Sequence, residues 1–455
     1  MKTISALLLV AAVTVTPFMS AQAAVTFIGE GSIPGDAVDQ SKLDRTLEDG
    51  ASPHNRVGGL GSAITYSGNG NSYLALPDRG PAGGKTSYFN RLYRIDIKLA
   101  KVAENRYAVE PVLTSTLLLR TEDGRQFTGH AGAFDAINSP EGLRLDPEGL
   151  RVSGCGHTAL ICDEYGPHIY EVDLKSGKRI RNLPVPRKFL VDFPSANPDD
   201  EKNKNLTGRQ PNRGFEGLAI TPDGARLLAV IQQPLLQDGA LGTDRKPVGV
   251  NCRILEVDLQ NGAVREYMYV MERPANGLSE ILAINDHEFL IIEHDSKPAA
   301  ETTFKSIFRV DLNGATDVRS IAALPSTGTT VSDGGGTNQV TPVAKTLFVD
   351  LLRAGIPDMP EKVEGLTFGP DLADGRHLLI ASADNDFERE RASRFLAFAV
   401  DPGDLPRYQP LPRAGAGPNH ACSTPLNRVA SGQPAHGKER GSHAAHTKLT
   451  RLGSN

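Results

Sequence analysis

Tryptophan is absent from this 455-residue chain, and no Gly-x-Ser-x-Gly sequence occurs in it. The first absence excludes repeat folds with a tryptophan signature, and the second argues against a serine-esterase nucleophile elbow. Neither sign of charge predominates, since 49 basic and 54 acidic residues leave a net charge of only −5. That balance gives no electrostatic reason to expect a nucleic acid or an anionic membrane as partner.

Long apolar runs are missing except at the N-terminus. Lys2 is followed by an apolar run over residues 4–15, and Ala21-Gln22-Ala23 fits the small-x-small site cut by signal peptidase. The run is too short to span a bilayer. The sequence therefore predicts a signal peptide over residues 1–23, cut near Ala23, and a periplasmic or secreted protein without a transmembrane segment.

Turn-forming residues are plentiful, with 46 Gly and 31 Pro, and short apolar strands recur between them. The triplet Glu-Gly-Leu begins repeats at Glu141, Glu216 and Glu364, with an echo at Ser279-Glu280-Ile281. This pattern predicts an all-β fold, a β-propeller of five or six blades, with residues 319–353 as the alternative place for a sixth. A strand over residues 25–33 would complete the last blade and remove its exposed edge.

The predicted domain organisation is simple. The propeller should occupy residues 24–410, and an insertion over residues 187–213 is placed to fold over one mouth of the ring. The Gly-, His- and base-rich composition of residues 411–455 predicts a disordered tail.

Four cysteines remain in the exported chain. Cys155 and Cys162 bracket a short segment, so a local disulfide is expected there, and Cys252 would then pair with Cys422. A zinc site is the competing interpretation, although the Cys and His spacing fits no standard zinc pattern.

Acidic residues recur at equivalent places in the repeats. If Glu141, Glu216, Glu280 and Glu364 hold one position of the inner strands, four carboxylates converge on the propeller axis and need a cation between them. Oxygen ligands favour Ca²⁺ first, with Mg²⁺ or Mn²⁺ as alternatives. In each repeat, the inner strand is followed by a second strand of the same blade. Further metal ligands are expected where these second strands end, at Asp163, Glu164, Glu293, Asp384 and Asp386.

The second strands also end in candidates for contact with substrate. Asp78, Arg79 and His294 are the predicted catalytic residues, and Arg56 and Arg213 are predicted to bind an anionic substrate group. The competing interpretation of any single repeat acid is structural, as a strand cap or a partner of backbone amides.

Several motifs together resemble a known family. The Glu-Gly-Leu repeats, Leu76-Pro77-Asp78-Arg79-Gly80, Asp163-Glu164-Tyr165-Gly166-Pro167 and the segment from Lys362 to Leu366 resemble the exported bacterial family called "esterase-like activity of phytase". The resemblance implies a phosphoric-ester hydrolase.

From residues and resemblance together we expect an exported, metal-dependent phosphoric-ester hydrolase, similar to phosphodiesterases and phosphatases. It would be a monomer acting on a small anionic ester. Two alternatives stay open: a metal-dependent lactonase or esterase, and a non-catalytic, calcium-stabilised binding propeller of the cell envelope.

Overall fold

Five four-stranded antiparallel sheets dominate the computed structural model, which describes residues 25–135, 137–332 and 336–411. Strand β1 is Val25–Ile33. Blade one comprises β2 (Ala63–Tyr66), β3 (Ser72–Leu76), β4 (Arg91–Ala103) and β5 (Arg106–Leu118). Blade two comprises β6 (Pro147–Val152), β7 (Thr158–Asp163), β8 (Ile169–Asp173) and β9 (Arg179–Asn182). Blade three comprises β10 (Phe215–Ile220), β11 (Arg226–Ile231), β12 (Asn251–Asp258) and β13 (Val264–Val270).

The last two blades contain the chain's irregular connections. Blade four comprises β14 (Asn276–Ala283), β15 (Glu288–Asp295) and β16 (Lys305–Asp311); after a hairpin of β17 (Thr330–Ser332) and β18 (Thr337–Gln339), it is completed by β19 (Ala344–Asp350). Blade five comprises β20 (Lys362–Phe368), β21 (His377–Asp384) and β22 (Ser393–Val400), with β1 as its fourth strand. Helix α1 is Pro198–Lys204, and short 3-10 helices span Arg187–Phe189, Leu236–Asp238, Ala299–Glu301 and Leu351–Arg353.

The five sheets form a closed ring. The inner strands β2, β6, β10, β14 and β20 each contact the next, and β20 contacts β2 again. Strand β1 pairs antiparallel with β22, so the N-terminal strand completes the last blade as predicted. Both faces of each blade are covered, which explains why strands such as β7 are buried along their whole length. The predicted all-β propeller is confirmed, with five blades.

The Glu-Gly-Leu triplet has a packing reason at each of its three positions. A bulge in the inner strand leaves the Glu without a partner on the second strand, as in β10 between Phe215 and Gly217. The Gly permits close approach of the next inner strand, because a Cβ on Gly217 would lie 2.6 Å from Glu280 Cα. The Leu fills the space between blades, and Leu218 is fully buried. The triplet therefore specifies how one blade packs against the next.

Two predictions about the blades need correction. Blade two begins at Pro147 and not at Glu141, because Glu148-Gly149-Leu150 is the triplet that lies in its inner strand. The alternative prediction of a sixth blade in residues 319–353 was wrong. That stretch supplies the β17–β18 hairpin and β19, which is the fourth strand of blade four. The predicted signal peptide and the tail beyond residue 411 lie outside the described residues.

The expected disulfide pairing was wrong. Cys162 and Cys252 are free, buried thiols, so neither the Cys155–Cys162 pair nor the Cys252–Cys422 pair forms. Cys162 lies in β7 in the core, where its Sγ contacts the carbonyl of Phe215. None of the described helices combines the length and apolar character that crossing a bilayer requires.

Candidate functional site

Each blade contributes one polar side chain at an equivalent position near the axis. In the blades with a bulge, the residue just after the bulge pairs with a residue of the second strand, and the polar residue lies two positions beyond that partner. In blade two, Gly149 pairs with Cys162, and Glu164 follows two residues later. The same rule gives Gln232, His294 and Asp384 in blades three to five. Blade one has no bulge, and there Asp78 lies two residues beyond Leu76, which pairs with the first residue of β2. The polar ring is the set Asp78, Glu164, Gln232, His294 and Asp384. The structure thus brings together one member of each polar cluster that ends a second strand.

The bulge positions of the inner strands form an adjacent acid ring. Glu148, Glu216 and Glu364 occupy the bulges of blades two, three and five. In blade four the bulge residue is Ser279, so Glu280 takes the place that glycine has elsewhere. Because neighbouring residues of a strand face opposite sides, this shift separates Glu280 from the other three acids.

A cavity of about 220 Å³ lies between these two rings. Ring residues lining it are Asp78, Glu164, Gln232, His294, Glu148, Glu216 and Glu364. Basic and loop residues add Arg79, Asn212, Arg213, Asp295, Ser296, Lys297, Glu361 and Lys362. Arg213 and Asn212 come from the insertion before blade three, which therefore reaches this mouth of the propeller.

The cavity raises the pKa of its carboxyl groups. Burial, reinforced by neighbouring carboxylates, raises the pKa of Glu148 and of Glu216 well above the usual range. Burial likewise raises the pKa of Glu364 to about 7 and that of Asp78 to about 6. Several of these acids therefore retain protons near neutral pH, and a bound cation would favour their ionised form.

Two fixed cations partly compensate the acids. The backbone N–H of Arg79 donates to Asp146 Oδ1 at 2.9 Å, and its guanidinium contacts Asp146 Oδ2 and lies 3.3 Å from Glu164 Oε2. On the opposite side, Lys362 Nζ lies 3.7 Å from Asp384 Oδ2 and contacts Asp386. Both basic groups also face the cavity, where they can meet an anionic ligand.

Four atoms of the polar ring are buried without a hydrogen-bond partner among the described residues: Glu164 Oε1, Gln232 Oε1, His294 Nε2 and Asp384 Oδ2. His294 Nδ1 lies 2.9 Å from the carbonyl oxygen of Asp295, which can only accept, so Nδ1 carries the proton and Nε2 a lone pair. Burial lowers the pKa of His294 to about 4, which keeps the ring neutral at pH 7. Such unpaired acceptors are costly unless a ligand satisfies them.

The acids fit a hard divalent cation. Two groups bring three carboxylate oxygens within 4.8 Å of one another, Asp78 with Asp384 and Asp386, and Asp78 with Asp146 and Glu148. Oxygen donors of this kind suit Ca²⁺, Mg²⁺ or Mn²⁺. The unpartnered acceptors of the polar ring are an independent sign that this cavity takes a ligand.

Some predicted ligands lie elsewhere. Glu141 is outside the cavity, with its side chain 62% exposed and paired with Arg179 at 2.6 Å. Glu293 is fully buried between blades three and four, where it accepts hydrogen bonds from the Tyr269 hydroxyl of β13 and from Lys345 Nζ of β19, each at 2.8 Å. These contacts make Glu293 a link between two blades, and Glu141 belongs to a surface pair.

Asp163 and Arg56 are also outside the cavity lining. The Asp163 carboxylate accepts three backbone N–H groups, from Asp146 at 2.9 Å, Tyr165 at 3.1 Å and Gly166 at 2.7 Å. This bonding shapes the turn that presents Glu164, which is a structural role within the same site.

Glu280 belongs to an ion pair that plugs the central channel. Its Oε1 lies 3.1 Å from Arg151 Nη2, and both side chains are almost fully buried. The guanidinium also donates to main-chain carbonyls of four blades, those of Ile64, Leu150, Ile281 and Leu366. Blade three is reached through Glu280, which accepts from Leu218 N at 3.1 Å. This one ion pair therefore touches all five inner strands.

Sequence reasoning missed Asp146, Glu148 and Lys362 as members of the site. A signal for Glu148 was present, because Glu148-Gly149-Leu150 repeats the triplet seven residues after Glu141. Asp146 lies two residues before it, and Lys362 two residues before Glu364. No repeat marks either of them: Lys362 lines the cavity in one blade only, and Asp146 reaches the site through its contact with Arg79.

Comparisons with known proteins find a relative, solved structures and a family model to which this chain is similar. The chain is 26% identical to an "Uncharacterized secreted protein" of Arthroderma benhamiae, over 79% of this chain and 86% of the relative. Among solved structures, Kuenenia stuttgartiensis hydrazine synthase matches 77% of this chain and 80% of its own at 12% identity and a TM-score of 0.32. The tail fiber of Staphylococcus aureus phage P68 matches 89% and 58% at 11% identity and a TM-score of 0.35. A model of one family matches residues 55–387, so the chain belongs to the Phytase-like family, described as "Esterase-like activity of phytase".

Proposed function

We propose that this protein is an exported, metal-dependent hydrolase of small anionic phosphoric esters, with its active site in the cavity between the polar and acid rings. The observation that carries the proposal is the convergence of buried acids with raised pKa and unpartnered acceptor atoms on one cavity that also holds Arg79 and Lys362. Membership of the Phytase-like family supports a hydrolase. The relative named as secreted and the signal peptide predicted over residues 1–23 support export.

The metal would be Ca²⁺, with Mg²⁺ or Mn²⁺ as alternatives, held by the groups that share Asp78. Asp384 and Asp386 complete one group, and Asp146 and Glu148 the other. When bound, a divalent cation polarises a phosphoryl oxygen and lowers the pKa of water. Glu164, which lines the cavity and has an unpartnered oxygen, would be a further ligand.

The chain's own groups would bind the ester and move its protons. Arg79, Lys362 and Arg213 face the cavity and would contact the phosphoryl oxygens. Asp78, whose pKa is about 6 in the metal-free protein, is ionised at neutral pH; it would hold the metal through one carboxylate oxygen and accept a proton from the attacking water at the other. Glu364 belongs to neither three-carboxylate group, and its pKa of about 7 in the metal-free protein leaves it partly protonated, so it would give its proton to the leaving oxygen. One P–O bond forms to water oxygen while the bond to the leaving oxygen breaks.

His294 has a narrower part in this proposal. Its neutral ring presents Nε2 to the cavity with a free lone pair, which suits a metal or a water hydrogen as partner. With a pKa of about 4 it is too weak a base to take up a proton at neutral pH. We therefore assign it to binding and orientation.

The test is hydrolysis of phosphomonoesters, phosphodiesters and lactones by the purified mature protein, with EDTA and with Ca²⁺, Mg²⁺ or Mn²⁺ restored. Phosphate-ester cleavage that EDTA abolishes and one of these ions restores is expected. Opening of lactones in place of phosphate esters would move the assignment to a lactonase. A protein that metal stabilises but that cleaves no ester would be a binding propeller, and the proposal would fail.

A further inference from the structure

A second cavity, of about 520 Å³, adjoins the first and shares Arg79 and Asn212 with it. Its remaining lining residues come from four segments: Gly83, Gly84 and Lys85; His130 and Ala131; Tyr165; and Ser195, Ala196, Pro198, Glu201 and Pro211. The last segment belongs to the insertion around α1. We call this second cavity the side groove.

Arg79 is the partition between the two cavities, and its surroundings are built to hold it there. A Cβ on Gly129 would lie 1.6 Å from the Arg79 carbonyl oxygen, and one on Gly84 would lie 3.2 Å from Arg79 Cδ and 2.3 Å from the Tyr165 hydroxyl. Gly84 also needs a positive φ of 80°. These glycines let two loops close around the arginine, so that a ligand in either cavity meets it.

The side groove differs from the acid cavity in charge. Lys85 is exposed and has no ion-pair partner among the described residues. His130 Nδ1 accepts from Gly132 N at 3.1 Å, so the ring proton is on Nε2, a free donor. The one acid in the lining, Glu201, is bound by Arg209 and lies 3.9 Å from Arg144. Uncompensated charge in this groove is therefore positive.

We propose that the side groove is a binding subsite for a second anionic group of the substrate, a phosphate or a carboxylate, recognised by Lys85, His130 and Arg79. This inference rests on the proposed function, because the scissile phosphate would lie in the adjoining acid cavity. Its substrates would be organic phosphate esters that carry another anion a few bonds from the scissile group. Lys85 and His130 are positioning and specificity residues for that group.

The test compares three ligands on the same three-carbon frame: propyl phosphate, 3-phosphooxypropionate and propane-1,3-diyl bisphosphate. Calorimetric titration of the metal-loaded protein at pH 7 should give an affinity about tenfold higher than that of propyl phosphate for one or both of the ligands with a second anionic group. A charge-assisted contact adds roughly this much. The ligand that gains identifies whether phosphate or carboxylate is preferred.

Lys85→Ala should remove most of that gain and leave propyl phosphate binding unchanged, with His130→Gln giving a partial loss. Lys98→Ala, an exposed lysine of β4 outside both cavities, is the matched control. Equal affinities for all three ligands, or a gain that survives Lys85→Ala, would overturn the subsite. If the gain is present and no ester is cleaved, the subsite stands and the hydrolase fails; if esters are cleaved without any gain, the reverse holds.

Discussion

Glu364→Gln should make the metal-free protein more stable, and the gain should grow with pH. Glu364 is buried in the acid ring, and its pKa is raised from 4.5 to about 7. The folded protein thus keeps a proton that the unfolded chain has lost. The stability associated with this carboxyl is complete below pH 4.5 and falls as pH rises through 7. Glutamine mimics the protonated form at every pH.

The magnitude follows from the shift. A difference of about 2.5 pKa units corresponds to about 3 kcal/mol at pH 8 and to only about 1 kcal/mol at pH 5. Urea unfolding of the wild type and of Glu364→Gln in EDTA at both pH values measures these differences. Glu110→Gln, at an exposed position of β5 outside the cavity, is the control and should change neither value.

Metal should narrow the difference in stability between the two proteins at pH 8. A divalent cation at about one hundred times its Kd would stabilise the wild type by about 2.7 kcal/mol at pH 8, and Glu364→Gln by less if Glu364 supports the bound ion. A mutant whose stability follows the wild type at both pH values, or one that is less stable at pH 8 in EDTA, would refute the reasoning about this carboxyl.

Three further predictions concern other residues. Arg151→Met should lower the free energy of unfolding by about 3 to 5 kcal/mol, since it leaves Glu280 buried without its partner; a urea-measured loss below about 1 kcal/mol would contradict the role of the plug. Glu148→Gln should reduce metal-dependent hydrolysis at least about a hundredfold while Glu141→Gln leaves it intact, and equal activity of the two variants would remove Glu148 from the site. His294→Ala should weaken metal binding at least about tenfold in calorimetric titration without moving the acid limb of the pH–rate profile, and a lost acid limb would make His294 the titrating group.

The fold was largely predictable because each blade repeats one packing problem. In Glu216-Gly217-Leu218, the Glu lies at a bulge and has no partner on the second strand, the Gly permits close approach of the next inner strand, and the Leu packs in the core. The same repetition misled the assignment of blade two, where Glu141-Gly142-Leu143 copies the letters in a loop outside the β-sheet. Only the pairing of β6 with β7 distinguishes the two copies.

The site was less predictable because its members depend on register and on single blades. Glu280 resembles the other repeat acids in sequence, yet a one-residue shift of the bulge to Ser279 turns it into the partner of Arg151. Asp146 joins the site through a contact with Arg79 of the preceding blade, and Lys362 through contacts with Asp384 and Asp386 of its own blade. No local sequence pattern predicts either contact. Residues of the polar ring were visible in sequence because their position recurs at the end of every second strand.

The plug couples the number of blades to one amino acid. Arg151 and Glu280 together reach main-chain groups of all five inner strands. Each contact requires its strand to lie within reach of one buried side-chain pair, so a sixth inner strand would move some of these carbonyls beyond the reach of a single guanidinium. A six-bladed version of this ring would therefore need a different residue at position 151.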